Sequence, residues 1–300
     1  MAGTDVLLPT QSSDALPQVR TVTIGDLMDV LRKGIADFRA MPTHAVFICA
    51  IYPIVGLVLF RTMFAYDLIP ILYPLAAGFA LLGPIAAIGL YEYSRRIELG
   101  MDTWWSHAFD VVHSPSLGPI VALAATLLAL FAGWLIVANE MYYATFGDET
   151  LTSPTAFLQQ VLTTAKGQWL IIAGNAIGFV FALVAASISV ISLPLLLDRN
   201  IGYAGAIATS LRVVAKNPVT MAVWFLIVAC GLLIGSLLLF VPLVVILPVL
   251  GHATWHLYRK AVEPDPSPRP EYRPREVKGE RYGADFPVSL FTRYEKRDKP

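Results

Sequence analysis

Apolar residues recur at helical spacing ahead of three prolines, and a long apolar segment follows each proline. The prolines are Pro42, Pro115 and Pro218. The residues four, seven and eleven positions before them are all apolar: Phe38, Ile35 and Leu31, then Val111, Ala108 and Trp104, then Val214, Leu211 and Ile207. This spacing places each set on one face of a helix. The pattern predicts three repeats in which an amphipathic surface helix leads into membrane spans.

The first repeat is predicted over about residues 24–97. Its surface helix covers 24–39, with Thr23 as N-cap and Asp26 in the capping-box position. The expected apolar face consists of Ile24, Leu27, Leu31, Ile35 and Phe38, and the expected polar face of Asp26, Asp29, Arg32, Lys33 and Asp37. Spans are predicted at about 44–60 and 68–91. The prolines and glycines of the second span predict kinks and close helix packing.

The second and third repeats are predicted over about 102–199 and 203–260. The second has a surface helix at 102–113, spans at 117–138 and 168–193, and a short helix at 154–164 between them. The third has a surface helix at 203–216, followed by apolar sequence from Val219 to Gly251. As one helix this stretch would be roughly 50 Å long, against about 30 Å of hydrocarbon. We therefore expect it to turn back near Gly235 and Ser236 and to form two spans.

The distribution of Lys and Arg favours six spans with both termini in the cytoplasm of a bacterial cell, the protein lying in the inner membrane. In that topology the outer loops hold only Arg61 and Lys166. The inner side holds Arg20, Arg32, Lys33, Arg39, Arg95, Arg96, Arg199, Arg212, Lys216, Arg259 and Lys260. Basic residues near span ends concentrate on the cytoplasmic side. The predicted fold is an all-α polytopic membrane protein with six transmembrane helices in three hairpins, each preceded by an interfacial amphipathic helix.

Composition supports this fold and sets its limits. The chain is 56% hydrophobic and only 15% charged, whereas soluble domains are about 25% charged. The formal net charge is zero, so there is no general basic field for a nucleic-acid partner. Residues 1–22 are predicted to be a flexible N-terminal tail, 23–262 the membrane domain, and 263–300 a cytoplasmic tail rich in proline and charge.

Histidines are the first candidates for chemistry, because all five fall on the inner side in this topology. His252 and His256 are four residues apart, a spacing that places both rings on one helix face and suits a metal ion. A haem would need two axial histidines from different helices, such as His44 with His252. The simpler interpretation is that these histidines face lipid headgroups, since no cysteine joins them.

Polar groups within the predicted spans are few. Asn175 is the most deeply placed strong hydrogen-bonding group, and it shares the fourth span with Ser187, Ser189 and Ser192. Interhelical hydrogen bonds are the expected role of these residues, with a polar pocket as the alternative. Glu92 and Glu140 fall at span ends, where we expect water to reach them. The absence of a deep carboxylate argues against an ion pump or a proton-coupled carrier, and no catalytic motif is present.

Four segments together resemble a known family: DLMDVLRKGIADFRAMPTHAVF, PLAAGFALLGPIAAIGLYEYSRR, SLPLLLDRN and LPVLGHATWHLYRK. They are similar to an uncharacterised family of bacterial predicted integral membrane proteins, a domain of unknown function, over about residues 22–262. Members are sometimes labelled possible cytochrome c oxidase subunit I. That label implies six histidine ligands within the spans, which five histidines at one face do not supply. More distantly, the repeat resembles the membrane domain of some glycerophosphodiester phosphodiesterases, without their catalytic barrel.

These observations favour a non-enzymatic membrane protein without a cofactor. We expect it to organise the membrane, to bind lipid or a partner protein, or to pass a small apolar molecule. Membrane lipid is the expected partner, with another protein or a second copy of the chain left open. The alternative is a haem- or metal-binding redox protein that uses His44, His252 and His256.

Overall fold

Helices make up nearly all of the chain that the structure describes. The computed structural model describes residues 16–40, 61, 69–101, 103, 111–112, 114–147, 154–238 and 241–264. Several predictions lie outside these residues: the first span, His44, most of the second surface helix, and both tails apart from residues 16–22 and 263–264. Within the described residues, the only β-structure is an isolated antiparallel bridge between Val19 and Val262.

The described helices, in chain order, are labelled α1 to α11. They are α1 Ile24–Ala40, α2 Ile69–Phe79, α3 Gly83–Ala86, α4 Ile88–Glu98, α5 Leu117–Phe146, α6 Pro154–Thr163, α7 Ala165–Ser189, α8 Ser192–Asp198, α9 Gly202–Lys216, α10 Pro218–Leu237 and α11 Leu243–Ala261. A 3-10 turn, Ala80–Leu82, joins α2 to α3.

Four helical stretches in the described residues are long and apolar enough to cross a membrane: Tyr73–Glu98, Leu117–Phe146, Ala165–Asp198 and Pro218–Leu237. Large apolar side chains stand exposed along them, among them Val121, Leu128, Ile136, Ile172, Phe179, Leu226 and Leu233. Such a surface is stable in lipid rather than in water. The chain is therefore an all-helical membrane protein. The count of six spans and the threefold repeat stay predictions.

The last apolar stretch does turn back, a few residues later than expected. Helix α10 ends at Leu237 and α11 begins at Leu243. A Cβ on Gly235 would lie 2.1 Å from a Leu243 methyl carbon, and one on Gly231 would lie 3.1 Å from a methyl carbon of Ile246. The pairing runs in opposite chain directions, so α10 and α11 form an antiparallel hairpin whose close approach depends on these glycines.

Prolines shape two of the long stretches in different ways. The segment Ile69–Glu98 is broken at the 3-10 turn just before Pro84, as its prolines predicted, and it continues to Glu98 rather than ending near Tyr91. The fourth predicted span was expected to end near Pro194. Instead the break lies between Ser189 and Ser192, and Pro194 sits in the first turn of α8. A proline there removes no intrahelical hydrogen bond.

The two described surface helices have the predicted limits, but their packing face differs from the expected one. Helix α1 is held at its start by the predicted capping box, with Thr23 N donating to Asp26 Oδ2 at 2.9 Å. It packs chiefly on α11 through Leu27, Val30, Gly34 and Asp37. The assignment of Asp37 to the polar face was wrong, because this carboxylate is only 7% exposed. Its hydrogen-bond partners lie on helices far along the chain.

Helix α9 has the same construction. Its buried residues are Ala206, Thr209, Ser210 and Val213. The predicted apolar stripe lies to one side of them, with Leu211 43% exposed and Ile207 and Val214 half-buried. At 100° per residue the stripe is centred about 120° from the buried face. Both helices therefore bury one face against the bundle and have a second apolar stripe that is partly exposed.

Candidate functional site

The charged residues of several helices meet at one end of the bundle, which we call the charged end. Ion pairs join the start of α1 and the ends of α4 and α8 to the last turn of α11. Lys260 Nζ lies 2.7 Å from Asp26 Oδ1, and Arg259 lies 2.8 Å from Glu98 and 3.3 Å from Asp198. These contacts place the ends of four helices at one level.

A buried polar cluster lies beneath these ion pairs and consists of Asp37, Ser94, His252 and His256. Asp37 Oδ2 accepts hydrogen bonds from Ser94 Oγ at 2.6 Å and from His256 Nε2 at 2.8 Å. Ser94 Oγ also lies 2.9 Å from His252 Nδ1. Ser94 is 0% exposed and His252 is 1% exposed. The cluster links α1, α4 and α11 through side chains that are buried, apart from the partly exposed His256.

The direction of each hydrogen bond follows from the donor inventory of the cluster. Ser94 has one hydroxyl proton, and a carboxylate only accepts, so that proton points to Asp37. In the tautomer with the ring proton on Nδ1, His252 donates to Ser94 Oγ. Serine and histidine within hydrogen-bond reach are the elements of a nucleophilic site. Here the serine proton faces a carboxylate and the hydroxyl is enclosed, so the geometry serves helix attachment rather than attack on a substrate.

Small residues bring these helices close enough for the cluster to form. A Cβ on Gly34 of α1 would lie 2.7 Å from the Val249 carbonyl oxygen and 2.8 Å from Ala253 Cβ. A Cβ on Gly251 would lie 2.6 Å from a Leu90 methyl carbon on α4. Backbones that approach this closely bring short side chains within hydrogen-bond reach across helices.

A second buried charge group lies on α4, where Glu92 and Arg96 stand two residues before and after Ser94. Arg96 Nε donates to Glu92 Oε1 at 2.8 Å, and Arg95 donates to Glu92 Oε2 at 2.7 Å. Glu92 is 3% and Arg96 2% exposed. The expectation that water reaches Glu92 was wrong, because neighbouring helices cover this turn of α4. A buried carboxylate of this kind is retained only when it is paired and hydrogen-bonded.

The segment before α1 is tied to the same end. Asn217 Oδ1 accepts from Val22 N at 2.8 Å, and Thr220 Oγ1 donates to Val22 O at 2.8 Å. The Val19–Val262 bridge adds hydrogen bonds from Arg20 N to Ala261 O and from Glu263 N to Gln18 O. Residues 16–22, which were assigned to a flexible tail, are thus hydrogen-bonded to α10 and to the chain after α11.

Ionisation at the surface of the charged end follows the same contacts. Hydrogen bonds from Lys260 and Thr23 hold the pKa of the Asp26 carboxyl well below its usual range. A hydrogen bond from Lys260 also lowers the pKa of Asp29. Both carboxylates stay charged in mild acid, which keeps α1 paired with the end of α11.

Two clefts open at the charged end. The larger, about 530 Å³, is lined by Gln18, Val19, Arg212, Ala215 and Lys216. The smaller, about 330 Å³, is lined by Lys33, Glu98, His256, Arg259 and Lys260. Both are shallow and basic, and the smaller one gives His256 its contact with solvent.

The structure places the predicted site residues in two separate regions. His252 and His256 belong to the buried polar cluster, while Asn175 lies in α7 and accepts a hydrogen bond from Tyr73 at 2.6 Å. Ser189 and Ser192 donate to backbone carbonyls of α7, those of Ala185 and Ile188, and the Ser187 carbonyl accepts from Ser210. Among the described residues, no group of three or more His, Cys, Asp or Glu side chains is arranged to hold a metal ion.

Sequence reasoning missed the acceptor at the centre of the site. Asp37 lies three residues after Gly34, and a small residue followed by a short polar one on the same helix face is typical of close interhelical packing. Ser94 and Arg96 stand two and four residues after Glu92 on one amphipathic turn. These spacings are present in the sequence, but they do not identify the partner helix.

Residues 72–198 match a family model described as predicted integral membrane protein (DUF2189). This region runs from α2 to the end of α8 and contains three of the four candidate spans. Neither a curated protein nor a solved structure shows significant similarity to the chain. The distant resemblance to the membrane domain of glycerophosphodiester phosphodiesterases and the cytochrome c oxidase label of some family members are not among these findings.

Proposed function

We propose that this protein is a non-enzymatic, lipid-binding protein of a bacterial inner membrane, with its charged end at the cytoplasmic surface. In this role α1 and α9 lie at the level of the headgroups and fix the bundle to the surrounding lipid. The residues 72–198 that match an integral membrane family supply three of the four candidate spans.

The observation that carries the proposal is the uncovered apolar stripe on α1. Ile24 is 53% exposed and Met28 is 54% exposed, although the same helix buries another face against α11. Asp26 and Asp29, which form ion pairs at the charged end, lie one or two residues from this stripe along α1. An apolar stripe beside charged side chains fits the boundary between headgroups and acyl chains.

Other roles fit the described residues less well. Passage of an apolar molecule needs an apolar path, and both clefts of the charged end have charged side chains in their walls: Arg212 and Lys216 in the larger, Lys33, Glu98, Arg259 and Lys260 in the smaller. The haem or metal alternative would use His44, His252 and His256; His44 lies outside the described residues, and within them no group of three or more His, Cys, Asp or Glu side chains is arranged to hold a metal ion. We therefore do not propose it as a function.

Two cysteine probes on one helix test the placement of α1. Met28→Cys lies on the exposed stripe and Lys33→Cys lies on the charged face, both in a chain whose Cys49 and Cys230 are serine. In lipid vesicles we expect a membrane-impermeant maleimide to label position 33 rapidly and position 28 slowly. Equal labelling rates would refute the placement. Protection of position 28 that disappears when the protein is diluted into excess lipid would assign the stripe to a second copy instead.

The six-span topology and its orientation are tested by reporter fusions. Fusions after Arg61 and after Lys166 should report the periplasmic side, and a fusion after Lys260 should report the cytoplasm. The positive-inside bias of the chain supports this arrangement. A cytoplasmic report from either of the first two fusions would overturn it.

A further inference from the structure

The larger cleft of the charged end differs from the smaller one in how its cations are paired. In the smaller cleft, Arg259 and Lys260 are neutralised by carboxylates within 3 Å. In the larger cleft, Arg212 and Lys216 have no carboxylate partner among the described residues, and Lys216 Nζ donates to the Val19 carbonyl oxygen at 2.6 Å. The larger cleft therefore has an uncompensated positive charge.

Arg212 and Lys216 both lie on α9, and both are exposed. They are four residues apart on α9, so both side chains leave the same face. Val19, on the opposite wall of the cleft, is fixed by its bridge to Val262. The cleft is thus bounded by a helix and a hydrogen-bonded segment, and its walls offer two cationic groups and the Gln18 amide to a ligand. This donor set fits a phosphate group.

The position of the cleft identifies the kind of phosphate. Lys216 is two residues before Pro218, where a candidate membrane span begins. An exposed apolar stripe runs along that span from Val219 through Leu226 and Leu233 to Leu237, at a spacing that keeps it on one helix face. Cations at the start of an apolar stripe match a molecule with an anionic head and a hydrocarbon tail.

We infer that the cleft lined by Gln18, Val19, Arg212, Ala215 and Lys216 binds the phosphate of an anionic phospholipid. The acyl chains of that lipid lie along the exposed stripe of α10. This inference rests on the proposed lipid-binding function and adds the lipid class and the residues that select it.

Native mass spectrometry of the full chain, delipidated in mild detergent and titrated with phosphatidylglycerol or phosphatidylcholine, tests the inference. We expect the protein to bind one phosphatidylglycerol molecule tightly and to bind phosphatidylcholine more weakly. Arg212→Gln with Lys216→Gln should weaken phosphatidylglycerol binding about 30-fold, or about 2 kcal/mol, since each cation near a headgroup contributes about 1 kcal/mol. The exchange Arg212→Lys with Lys216→Arg should retain binding.

The matched control removes two exposed cations from α1 with Arg32→Gln and Arg39→Gln, and it should bind phosphatidylglycerol as the wild type does. An equal loss in this control would mean general charge attraction and would overturn the site. Displacement of the lipid by millimolar inorganic phosphate would make it a free-phosphate site. Displacement by a poly-glutamate peptide at micromolar concentration would make it a protein-binding site. Each of these results contradicts the inference.

Failure of the inference and failure of the proposed function give different results. If the wild type and the Arg212→Gln, Lys216→Gln variant hold phosphatidylglycerol equally, lipid binding stands and the cleft assignment falls. If no variant retains either lipid, the proposed function itself falls. Unchanged circular dichroism and thermal unfolding of the variant show that its fold is intact, as expected for two exposed side chains.

Discussion

Removal of the Asp37 carboxylate should release α1 from the bundle. Asp37→Ala deletes the charged acceptor of the hydrogen bonds from Ser94 and His256, and Ser94 is fully buried. A hydrogen bond to a charged acceptor contributes about 1.5 kcal/mol or more, so the two together give a loss of about 3 kcal/mol. For a protein of this size that corresponds to a decrease in Tm of roughly 6–12 °C.

Thermal unfolding in detergent, followed by circular dichroism, measures this loss, and two variants control it. Asp29→Ala removes a carboxylate from the exposed face of the same helix and should cost at most about 1 kcal/mol. Asp37→Asn keeps an oxygen acceptor at the same position, so its Tm should lie between those of the wild type and Asp37→Ala. Equal Tm values for Asp37→Ala and Asp29→Ala would refute the role given to the cluster.

A double-mutant cycle separates the cluster from simple loss of packing. If Asp37 and Ser94 act through their shared hydrogen bond, the cost of Asp37→Ala with Ser94→Ala should be smaller than the sum of the single costs by roughly 1 kcal/mol. Additive costs would show that the two residues stabilise the fold independently, and the network interpretation would be wrong.

Three further predictions follow from the helix contacts. Gly34→Ala should destabilise by about 1–3 kcal/mol, because its Cβ meets α11 backbone at 2.7 Å, whereas Gly25→Ala, whose Cβ has only ordinary contacts, should not lower Tm. Asn217→Ala should open the segment before α1 and speed its cleavage by trypsin after Arg20, while thermal unfolding of the spans changes less. The lowered pKa of Asp26 means that its contribution to stability is present above the ordinary carboxyl value of 3.8 and is lost as pH falls. The Tm of Lys260→Gln should therefore fall less between pH 5 and pH 3 than that of the wild type, and parallel curves would contradict this.

Local features of the chain were predicted well because local forces decide them. The capping box at Thr23 and Asp26, the limits of α1 and α9, and the short helix α6 all follow from spacing and end signals within one or two turns. The turn between α10 and α11 was predicted because the apolar stretch, as one helix, would be longer than the hydrocarbon layer is thick. Its position shifted because Gly235 packs against Leu243 inside the hairpin and does not form the turn.

The site was not predicted because its contacts join distant parts of the chain. Asp37 and His256 are 219 residues apart, and Asp37 and Ser94 are 57 apart. On an isolated helix, an aspartate among charged neighbours is indistinguishable from a solvated one. Only the approach of α11 at Gly34 turns that face inward, and periodicity along one helix contains no information about which helix will approach it.

The pairing of α1 with α11 also sets an order of events during synthesis. A ribosome adds roughly 5–20 residues per second, so the about 200 residues between these helices take roughly 10–40 s to translate. Throughout that interval the Gly34 and Asp37 face of α1 has no α11 to receive it. Until α11 has been synthesised, the exposed apolar stripe of Ile24 and Met28 allows α1 to bind to the bilayer surface. Chains that stall before residue 243 would therefore present an unpaired buried carboxylate to the quality-control proteases of the membrane, and their rapid turnover would follow from the same geometry that stabilises the finished protein.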